Sequence, residues 1–248
     1  MIKLSIILIA KNEEQNIEEC LKSVEWADEK IVVVDSSTTD RTADLARNFT
    51  DKVYEIDWLG FSGTKNFALE KATAAWILWI DADERVTEAL RREIEQVISQ
   101  KNTFDGYMLP RLANFLGRWI RHCGWYPGYV MRLFKKGAAR FNESLVHEGL
   151  DFEGDSGKLA HPLLHYTDRE IKHYFDKYNT YTSLAADDLL RRNRTFKLRD
   201  LVFRPFFAFV KMYILRLGFL DGIQGFILSA FSASYVFTKY AKLWERSR

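Results

Sequence analysis

The chain has 248 residues, of which 47% are hydrophobic and 28% are charged, a composition that is typical of a folded globular protein and excludes a disordered one. Its two cysteines, Cys20 and Cys123, are too few for a disulfide scaffold, and no C-x-x-C pair suggests a metal site, so a reduced, cytosolic setting is the simplest interpretation. The net charge of +2 conceals an asymmetry, because residues 191–248 hold twelve Lys and Arg against three acids, whereas residues 1–190 hold 24 against 31.

Apolar segments and helical patterns alternate along the first hundred residues. The predicted strands are Lys3–Ala10, Lys30–Asp35, Lys52–Ile56 and Ala75–Asp81. The predicted helices are Glu14–Val24, Asp40–Asn48, Ser62–Ala72 and a further helix after Thr87. Because the strands are almost continuously apolar, we expect a parallel sheet with helices on both faces, an α/β architecture whose ligands bind beyond the carboxyl ends of the strands. The first apolar run fits a buried strand better than a cleavable signal peptide.

The pattern changes after residue 102. Short segments rich in aromatic residues and arginine predict mixed or antiparallel strands that extend the sheet, and these are Gly106–Arg111, Leu116–Trp119, Tyr129–Phe134 and Leu163–Tyr166. From Thr167 onward we expect helices that start near Asp168, Thr195 and Asp221. The predicted domains are therefore a sheet domain at 1–166 and a helical extension at 167–248.

Two carboxylates, Asp81 and Asp83, end the run W-I-L-W-I-D-A-D. Oxygen ligands at a strand tip suit a divalent cation that also binds phosphate oxygens, because Mg²⁺ or Mn²⁺ then needs few protein carboxylates. The alternative is that both acids only cap the following helix, with Thr87 as the nearer cap.

Another acid, Asp35, ends the second predicted strand in V-V-D-S-S-T-T-D-R-T. It can accept a hydrogen bond from a base or a ribose, although a polar turn with Asp40 as a helix cap explains the rest of the run. The sequence contains neither G-x-G-x-x-G after the first strand nor G-x-x-x-x-G-K-[ST], so it supports neither a Rossmann dinucleotide site nor a P-loop.

Four blocks in this part of the chain carry a resemblance to a known family, and in order they read I-I-L-I-A-K-N-E-E, V-V-D-S-S-T-T-D-R-T, F-S-G-T-K-N-F-A-L and W-I-D-A-D. They cover Leu4–Asp83 and resemble the inverting family 2 glycosyltransferases of the GT-A fold. Within that family the chain most resembles the bacterial lipopolysaccharide core-biosynthesis glycosyltransferases, a likeness that continues through Val146–Glu148, Leu164–Tyr166 and Gly218–Gly222. The resemblance implies a GT-A mixed sheet flanked by helices and a basic C-terminal part. The residues of that part, in turn, predict a C-terminal helical extension that associates with a membrane.

The resemblance also implies roles for individual residues. The residues that would contact the nucleotide-sugar donor are Ala10, Asn12, Glu13, Asp35, Ser37, Lys65, Asp81, Ala82 and Asp83. A Mg²⁺ or Mn²⁺ ion would be held by Asp83 and Asp81, with His165 as a further ligand, and would neutralise the leaving diphosphate. A structural hydrogen bond is the alternative role for His165.

An inverting transfer also needs a general base for the acceptor hydroxyl, and the candidate is Glu148. It follows a mixed-sheet region where the family places a catalytic carboxylate, here in a Val-His-Glu context instead of the commoner Glu-Asp pair. The alternative is a surface glutamate on a loop. An acceptor floor is expected from Trp125 and Tyr126, with Arg132 contacting an anionic group, and ordinary packing is the alternative for all three.

The basic C-terminal part interleaves its charges with aromatic and aliphatic residues. Arg204 and Lys211 share one stripe of a predicted helix, while aromatic residues spread over the remaining face. This pattern is typical of a helix lying in the interface of an anionic membrane, so residues 191–238 are predicted to contact one, with Gly222–Thr238 too short and too polar to span it. No nucleic-acid partner is expected, because nucleic-acid helices need little apolar surface. A core-packing or dimerising helical hairpin is the remaining alternative.

We therefore predict a metal-dependent inverting hexosyltransferase, peripheral at the cytoplasmic face of the inner membrane. It would transfer a sugar from a UDP-sugar such as UDP-glucose to a hydroxyl of a lipid-anchored glycan, the lipopolysaccharide inner core. The alternatives are a polyprenyl-linked glycan acceptor and a catalytically silent membrane-binding scaffold of the same fold. A phosphohydrolase of the haloacid dehalogenase type is a further alternative, because D-A-D-E-R-V loosely resembles D-x-D-x-T/V, although Arg85 replaces the Thr or Val.

Overall fold

The computed structural model describes residues 3–100, 104–142, 149–168 and 170–247. The chain divides into two compact units, which we call the sheet unit (residues 1–111 and 129–165) and the helical unit (residues 112–128 and 166–248). The strands are β1 Leu4–Ala10, β2 Glu29–Asp35, β3 Val53–Ile56, β4 Trp76–Trp79, β5 Glu84–Val86, β6 Gly106–Phe115, β7 Arg118–Trp119, β8 Gly128–Lys135, β9 Ala139–Phe141, β10 Leu150–Phe152, β11 Ser156–Lys158 and β12 Leu163–Asp168. The helices are α1 Ile17–Ser23, α2 Thr42–Arg47, α3 Gly60–Lys71, α4 Glu88–Ser99, α5 Ile171–Arg191, α6 Leu198–Val210 and α7 Gly222–Arg246.

The main sheet has the strand order β3-β2-β1-β4-β8-β6-β12-β5. The first four strands along this path are parallel to one another, and β8 joins β4 in the antiparallel direction. At the other end, β12 pairs with β5 in the antiparallel direction. The predicted α/β mixed sheet with flanking helices is therefore confirmed, and the carboxyl ends of β1, β2 and β4 lie at one edge of the sheet.

The alternation of side chains along the parallel strands builds two cores. In β1, Ile6 and Leu8 point to one face and pack with α1, α2 and α4, whereas Ile7 points to the other face and packs with α3. These three side chains are at most 2% exposed. Because both faces are covered, the strands read as continuous apolar runs, which is why the sequence predicts them well.

The polar edge after β4 differs from the prediction in one respect. The strand ends at Trp79, and the acids Asp81 and Asp83 precede a short strand, β5, instead of a helix. Helix α4 is capped by Thr87, whose side chain accepts a hydrogen bond of 3.1 Å from the backbone N–H of Leu90. Neither aspartate therefore caps α4, and the capping alternative is wrong.

The helical unit has a small core of its own. Phe115, Ile120, Cys123 and Leu228 are each at most 1% exposed and pack together, with Tyr174 against them. The segment 112–128, predicted as part of the sheet domain, belongs to this unit because its buried side chains pack against α5 and α7. Helices α5, α6 and α7 start close to the three predicted positions. Within the described residues, we find no helix whose length and apolar character would let it cross a membrane.

Candidate active site

The loops after β1 and β2 are tied together at the polar edge of the sheet. Asn12 has a positive φ of 54°, a conformation that asparagine tolerates better than most residues, and its side-chain oxygen accepts a 2.9 Å hydrogen bond from the backbone N–H of Thr39. The backbone N–H of Glu13 donates to the hydroxyl oxygen of Thr42 at 2.7 Å. Ala10, the last residue of β1, is 4% exposed. Three of the predicted donor-binding residues thus belong to one fixed turn.

Asp35 ends β2 at the same edge, and its side chain is 2% exposed. Its Oδ1 atom accepts hydrogen bonds from the backbone N–H and the hydroxyl of Ser37 at 2.9 and 2.8 Å, and its Oδ2 atom lies 2.8 Å from Nζ of Lys11. The hydrogen bonds from Lys11 and Ser37 lower the pKa of Asp35 to about 2. Asp35 is therefore an ionised, oriented acceptor with its charge balanced by a lysine that is itself half exposed.

The two acids after β4 have different partners. The Oδ2 atom of Asp81 lies 2.6 Å from Nη2 of Arg132, whereas Oδ2 of Asp83 lies 3.2 Å from Nε2 of His165. His165 is in β12, and the pairing of β12 with β5 sets it opposite Glu84. The side chains of Asp83 and His165 are 23% and 14% exposed, so this pair is partly accessible. The structure therefore brings together two of the predicted metal ligands.

Arg132, on β8, is the centre of a buried charge cluster. It is 1% exposed, and its Nη2 atom lies 2.6 Å from both Asp81 and the completely buried Glu84. Its guanidinium carbon stacks 3.4 Å from the ring centroid of Trp79. A second arginine, Arg111, lies 3.8 Å from Glu84. The guanidinium thus faces the two acids and a tryptophan ring inside the sheet unit, and its predicted contact with an acceptor anion stays a prediction.

In this cluster, burial acts to raise the pKa values of the acids, and the neighbouring positive charges act to lower them. Complete burial raises the pKa of Glu84, although the positive charge of Arg132 acts against the rise. Burial would also raise the pKa of Asp81, but the charges of Arg132 and Lys65 outweigh it and lower that pKa. The arrangement therefore keeps Asp81 ionised at the edge where a cationic or hydrogen-donating ligand would meet it.

Lys65, on α3, lies over the same tryptophan ring as Arg132, on the face of the sheet that α3 covers. It is 8% exposed, and its Nζ atom lies 4.5 Å from the ring centroid of Trp79, 5.6 Å from that of Phe141 and 5.8 Å from that of Phe61. An ammonium group held among aromatic rings loses much of its hydration and is a strong donor to phosphate oxygens. Its predicted contact with the nucleotide stays a prediction.

The remaining predicted residues lie elsewhere or are not described. Glu148, the predicted general base, lies outside the described residues. Trp125 and Tyr126 belong to the helical unit, where the ring of Trp125 packs 6.3 Å from that of Phe115 and lines a cleft of about 440 Å³. Ala82 is 4% exposed and contributes to the core behind the two acids.

Sequence reasoning missed Glu84 and the stacking of Arg132 on Trp79. Glu84 directly follows the D-A-D run, and a single acid there gives no sign that it is buried. The cluster depends on the pairing of β4 with β8, which joins residues about fifty positions apart, and local patterns do not specify such pairings.

Comparison with known proteins shows the family of the chain. The model for the family described as glycosyl transferase family 2 matches residues 5–139. The chain is 32% identical over 257 residues to the lipopolysaccharide core biosynthesis glycosyltransferase LpsC of Rhizobium meliloti (strain 1021), with 99% of this chain and 93% of that protein covered. These matches confirm the predicted resemblance, and the phosphohydrolase alternative is wrong.

Two solved structures are similar to the chain in fold. The mannosyltransferase PcManGT from Pyrobaculum calidifontis, solved in complex with GDP-Man and Mn²⁺, has a TM-score of 0.57 at 13% identity, with 99% of this chain and 88% of that chain covered. The S. aureus TarS 1–349 structure in complex with UDP-GlcNAc has a TM-score of 0.50 at 16% identity, with 99% and 91% covered. At these identities the likeness concerns the fold, and it agrees with the predicted GT-A architecture.

Proposed function

Because the chain belongs to glycosyl transferase family 2, we propose that it transfers a sugar, with inversion, from a nucleotide-sugar donor to a hydroxyl of a lipid-anchored glycan. The observation that carries this proposal is the cluster after β4, where Asp81 and Asp83 stand at the edge of the sheet that also holds Asp35. Ligands of open α/β sheets bind at this edge. A UDP-sugar such as UDP-glucose is the proposed donor, and the lipopolysaccharide inner core is the proposed acceptor. The relative LpsC, a lipopolysaccharide core biosynthesis glycosyltransferase, supports an acceptor in the lipopolysaccharide core.

The residues after β4 fit a divalent cation that shares its coordination with a diphosphate. Asp83 and His165 offer an oxygen and a nitrogen 3.2 Å apart on partly exposed side chains. Among the described residues no group of three or more His, Cys, Asp or Glu side chains is spaced to hold a metal ion, so the remaining ligands would come from the donor. A Mg²⁺ or Mn²⁺ ion held there would act as a Lewis acid on the leaving diphosphate.

The protein's own side chains would orient the donor. Asp35 is an ionised acceptor for an N–H of the base, and Asn12 and Ser37 fix the turns on either side of it. Lys65 offers its ammonium group to the phosphates, and Arg132 holds Asp81 in one orientation from behind. Positioned charges of this kind stabilise the negative charge that develops on the leaving group.

Glu148 is the proposed general base that takes the proton of the acceptor hydroxyl. Replacing it by Gln removes the proton acceptor but keeps the shape, so Glu148→Gln should bind donor normally and lose transfer by about 100-fold or more. Donor affinity is measured by calorimetry and transfer by product formation. Undiminished transfer in this variant would assign the base elsewhere.

The helical unit is the proposed attachment to the cytoplasmic face of the inner membrane. Apolar side chains such as Phe203 and Phe206, each 68% exposed, lie on the same helix as Arg199 and Arg204. Basic and apolar side chains together on exposed helices are what an anionic membrane surface attracts.

The test is donor hydrolysis and transfer by the purified chain with a panel of UDP-, GDP- and CMP-sugars, first with Mn²⁺ and then with EDTA. We expect slow hydrolysis of one UDP-sugar that EDTA abolishes, and transfer when a deacylated lipopolysaccharide core is added. Transfer to a polyprenyl-linked glycan instead would change the acceptor class. No response to any donor from a demonstrably folded sample would overturn the transferase proposal and favour a silent scaffold.

A further inference from the structure

An open cleft of about 540 Å³ lies between α6 and α7 within the helical unit. Its basic lining comes from Arg199, Arg204, Lys211 and Lys239. Its only acidic lining residue among the described side chains is Asp200. The cleft therefore has a clear excess of positive charge, and all of its lining residues belong to the helical unit.

Among the described residues, three of the four basic side chains form no salt bridge with an acid, and these are Arg199, Lys211 and Lys239. Asp200 lies 2.7 Å from Nε of Arg204, so that pair is internally balanced. For Lys211 and Lys239, no carboxylate lies within 4 Å in the part of the chain that the structure describes. Burial and the nearby charge of Arg204 lower the pKa of Lys239, which means that its ammonium group would gain from an anionic partner.

The same cleft has an apolar half. Phe203 and Phe207 line it and are 68% and 58% exposed, and the buried ring of Tyr240 closes its floor. A free inorganic anion would make no use of this surface, and a nucleic-acid backbone would leave most of it in water. A molecule with a phosphate head and a hydrocarbon chain matches both halves at once, because it pairs with the lysines and covers the phenylalanine rings.

We propose that this cleft binds the phosphate head group of a single anionic membrane lipid, with the first part of its acyl chain lying against Phe203 and Phe207. The proposal rests on the membrane attachment proposed above and makes it specific, since it replaces a diffuse attraction to the surface by one occupied site. Lys211 and Lys239 are the residues that recognise the phosphate.

The experiment uses the full-length chain and calorimetric titration with dihexanoyl phosphatidic acid below its micelle concentration, with inorganic phosphate and dihexanoyl phosphatidylcholine as separate arms. Phosphatidic acid should bind saturably at one site, and each of the other two should bind on the order of tenfold more weakly. Replacing both lysines, Lys211→Gln with Lys239→Gln, should weaken phosphatidic acid binding by about tenfold or more. The matched control, Arg121→Gln with Lys172→Gln, removes the same charge from exposed positions outside the cleft and should change binding by less than about twofold.

Several outcomes would overturn the proposal. Equal weakening in the control pair would mean diffuse attraction, and phosphate binding as tightly as phosphatidic acid would mean a phosphate site with no lipid component. Tighter competition by a short RNA would mean a nucleic-acid site. If the double variant does not fold, Lys211→Glu at an exposed side chain gives the same readout. Donor hydrolysis is measured in parallel. Absence of hydrolysis would contradict the transferase proposal alone. Loss of lipid specificity with intact hydrolysis would contradict only the proposed lipid site in the cleft.

Discussion

The two units of the molecule differ in whether their charged side chains are buried or exposed. In the sheet unit, Arg132 is 1% exposed and its guanidinium contacts two acids at 2.6 Å, so the charge is buried and balanced. In the helical unit, Lys211 is exposed and lines a cleft together with Phe203 and Phe207, which are 68% and 58% exposed. The first arrangement fixes a geometry inside the protein, and the second leaves both charge and apolar area available to a partner.

The physical costs of the two arrangements explain the contrast. Burying an arginine and two acids requires each charge to be paired, because an unpaired charge in the core costs several kcal/mol. Leaving aromatic side chains in water forgoes about 1.5–3 kcal/mol for each large side chain that the fold could have buried. The buried charges of the sheet unit lie beside the site where the donor is proposed to bind. The exposed aromatic side chains of the helical unit lie where a membrane is proposed to bind.

The largest expected effect comes from breaking the buried cluster. Arg132→Met keeps the volume but leaves Asp81 and Glu84 without their shared partner, so it should lower the free energy of unfolding by about 3–5 kcal/mol. Urea denaturation measures this. The control is Arg92→Met, because Arg92 pairs with Glu88 on the surface with its side chain 76% exposed, and the expected change there is below about 1 kcal/mol. Equal losses in the two variants would show that the cluster is not held by Arg132.

The next effect concerns activity instead of stability. Asp83→Ala removes a carboxylate at the proposed metal position, so metal-dependent donor hydrolysis should fall by about 100-fold or more. The free energy of unfolding should change by less than about 1 kcal/mol, because the pair with His165 is partly exposed.

The control for this variant is Asp51→Ala, at an exposed acid of the same unit. Hydrolysis and urea unfolding are measured on both proteins. Full metal-dependent activity in Asp83→Ala would remove Asp83 from the site.

The sequence predicts the part of the sheet unit that local patterns encode. The apolar runs of β1, β2 and β4 specify parallel strands, and the acids after β4 mark the ligand edge. The Arg132 cluster could not be predicted from local sequence patterns, because it depends on the pairing of β8 with β4 and of β5 with β12. The grouping of 112–128 with the helices also depends on distant contacts, such as the packing of Phe115 with Leu228. The predicted domain boundary between residues 166 and 167 stays a prediction.

A smaller effect should appear in the pH dependence of stability. Burial would raise the pKa of Glu29, but hydrogen bonds from Lys52, Ser5 and Thr73 lower it from an ordinary 4.5 to about 2. A folded-state pKa below the unfolded value adds stability above about pH 4.5, and this stability is lost as the pH falls toward 2. Glu29→Gln should therefore lower stability by about 1–2 kcal/mol at pH 7 and flatten its decline in acid.

The helical unit supplies the control for this prediction, since Glu245 is exposed. Glu245→Gln should leave the stability at pH 7 and the shape of the acid decline unchanged to within about 0.5 kcal/mol. Urea midpoints at pH 7, 4 and 3 give the comparison. A parallel decline in Glu29→Gln and the parent protein would mean that Glu29 is not preferentially ionised in the folded state.

The smallest change in stability is expected on the exposed face of the helical unit. Phe206→Ala should alter the free energy of unfolding by about 0.5 kcal/mol or less, because the ring is mostly in water and alanine is the better helix former. The same truncation at Phe134, which is completely buried in the sheet unit, should cost about 3–5 kcal/mol.

Phe206→Ala should nevertheless weaken binding to phosphatidylglycerol vesicles on the order of tenfold, since the ring would otherwise enter the bilayer interface. A loss of stability above about 2 kcal/mol for Phe206→Ala that grows as the protein concentration rises would instead indicate that this face packs against a second copy, and it would favour the dimerising hairpin over the membrane.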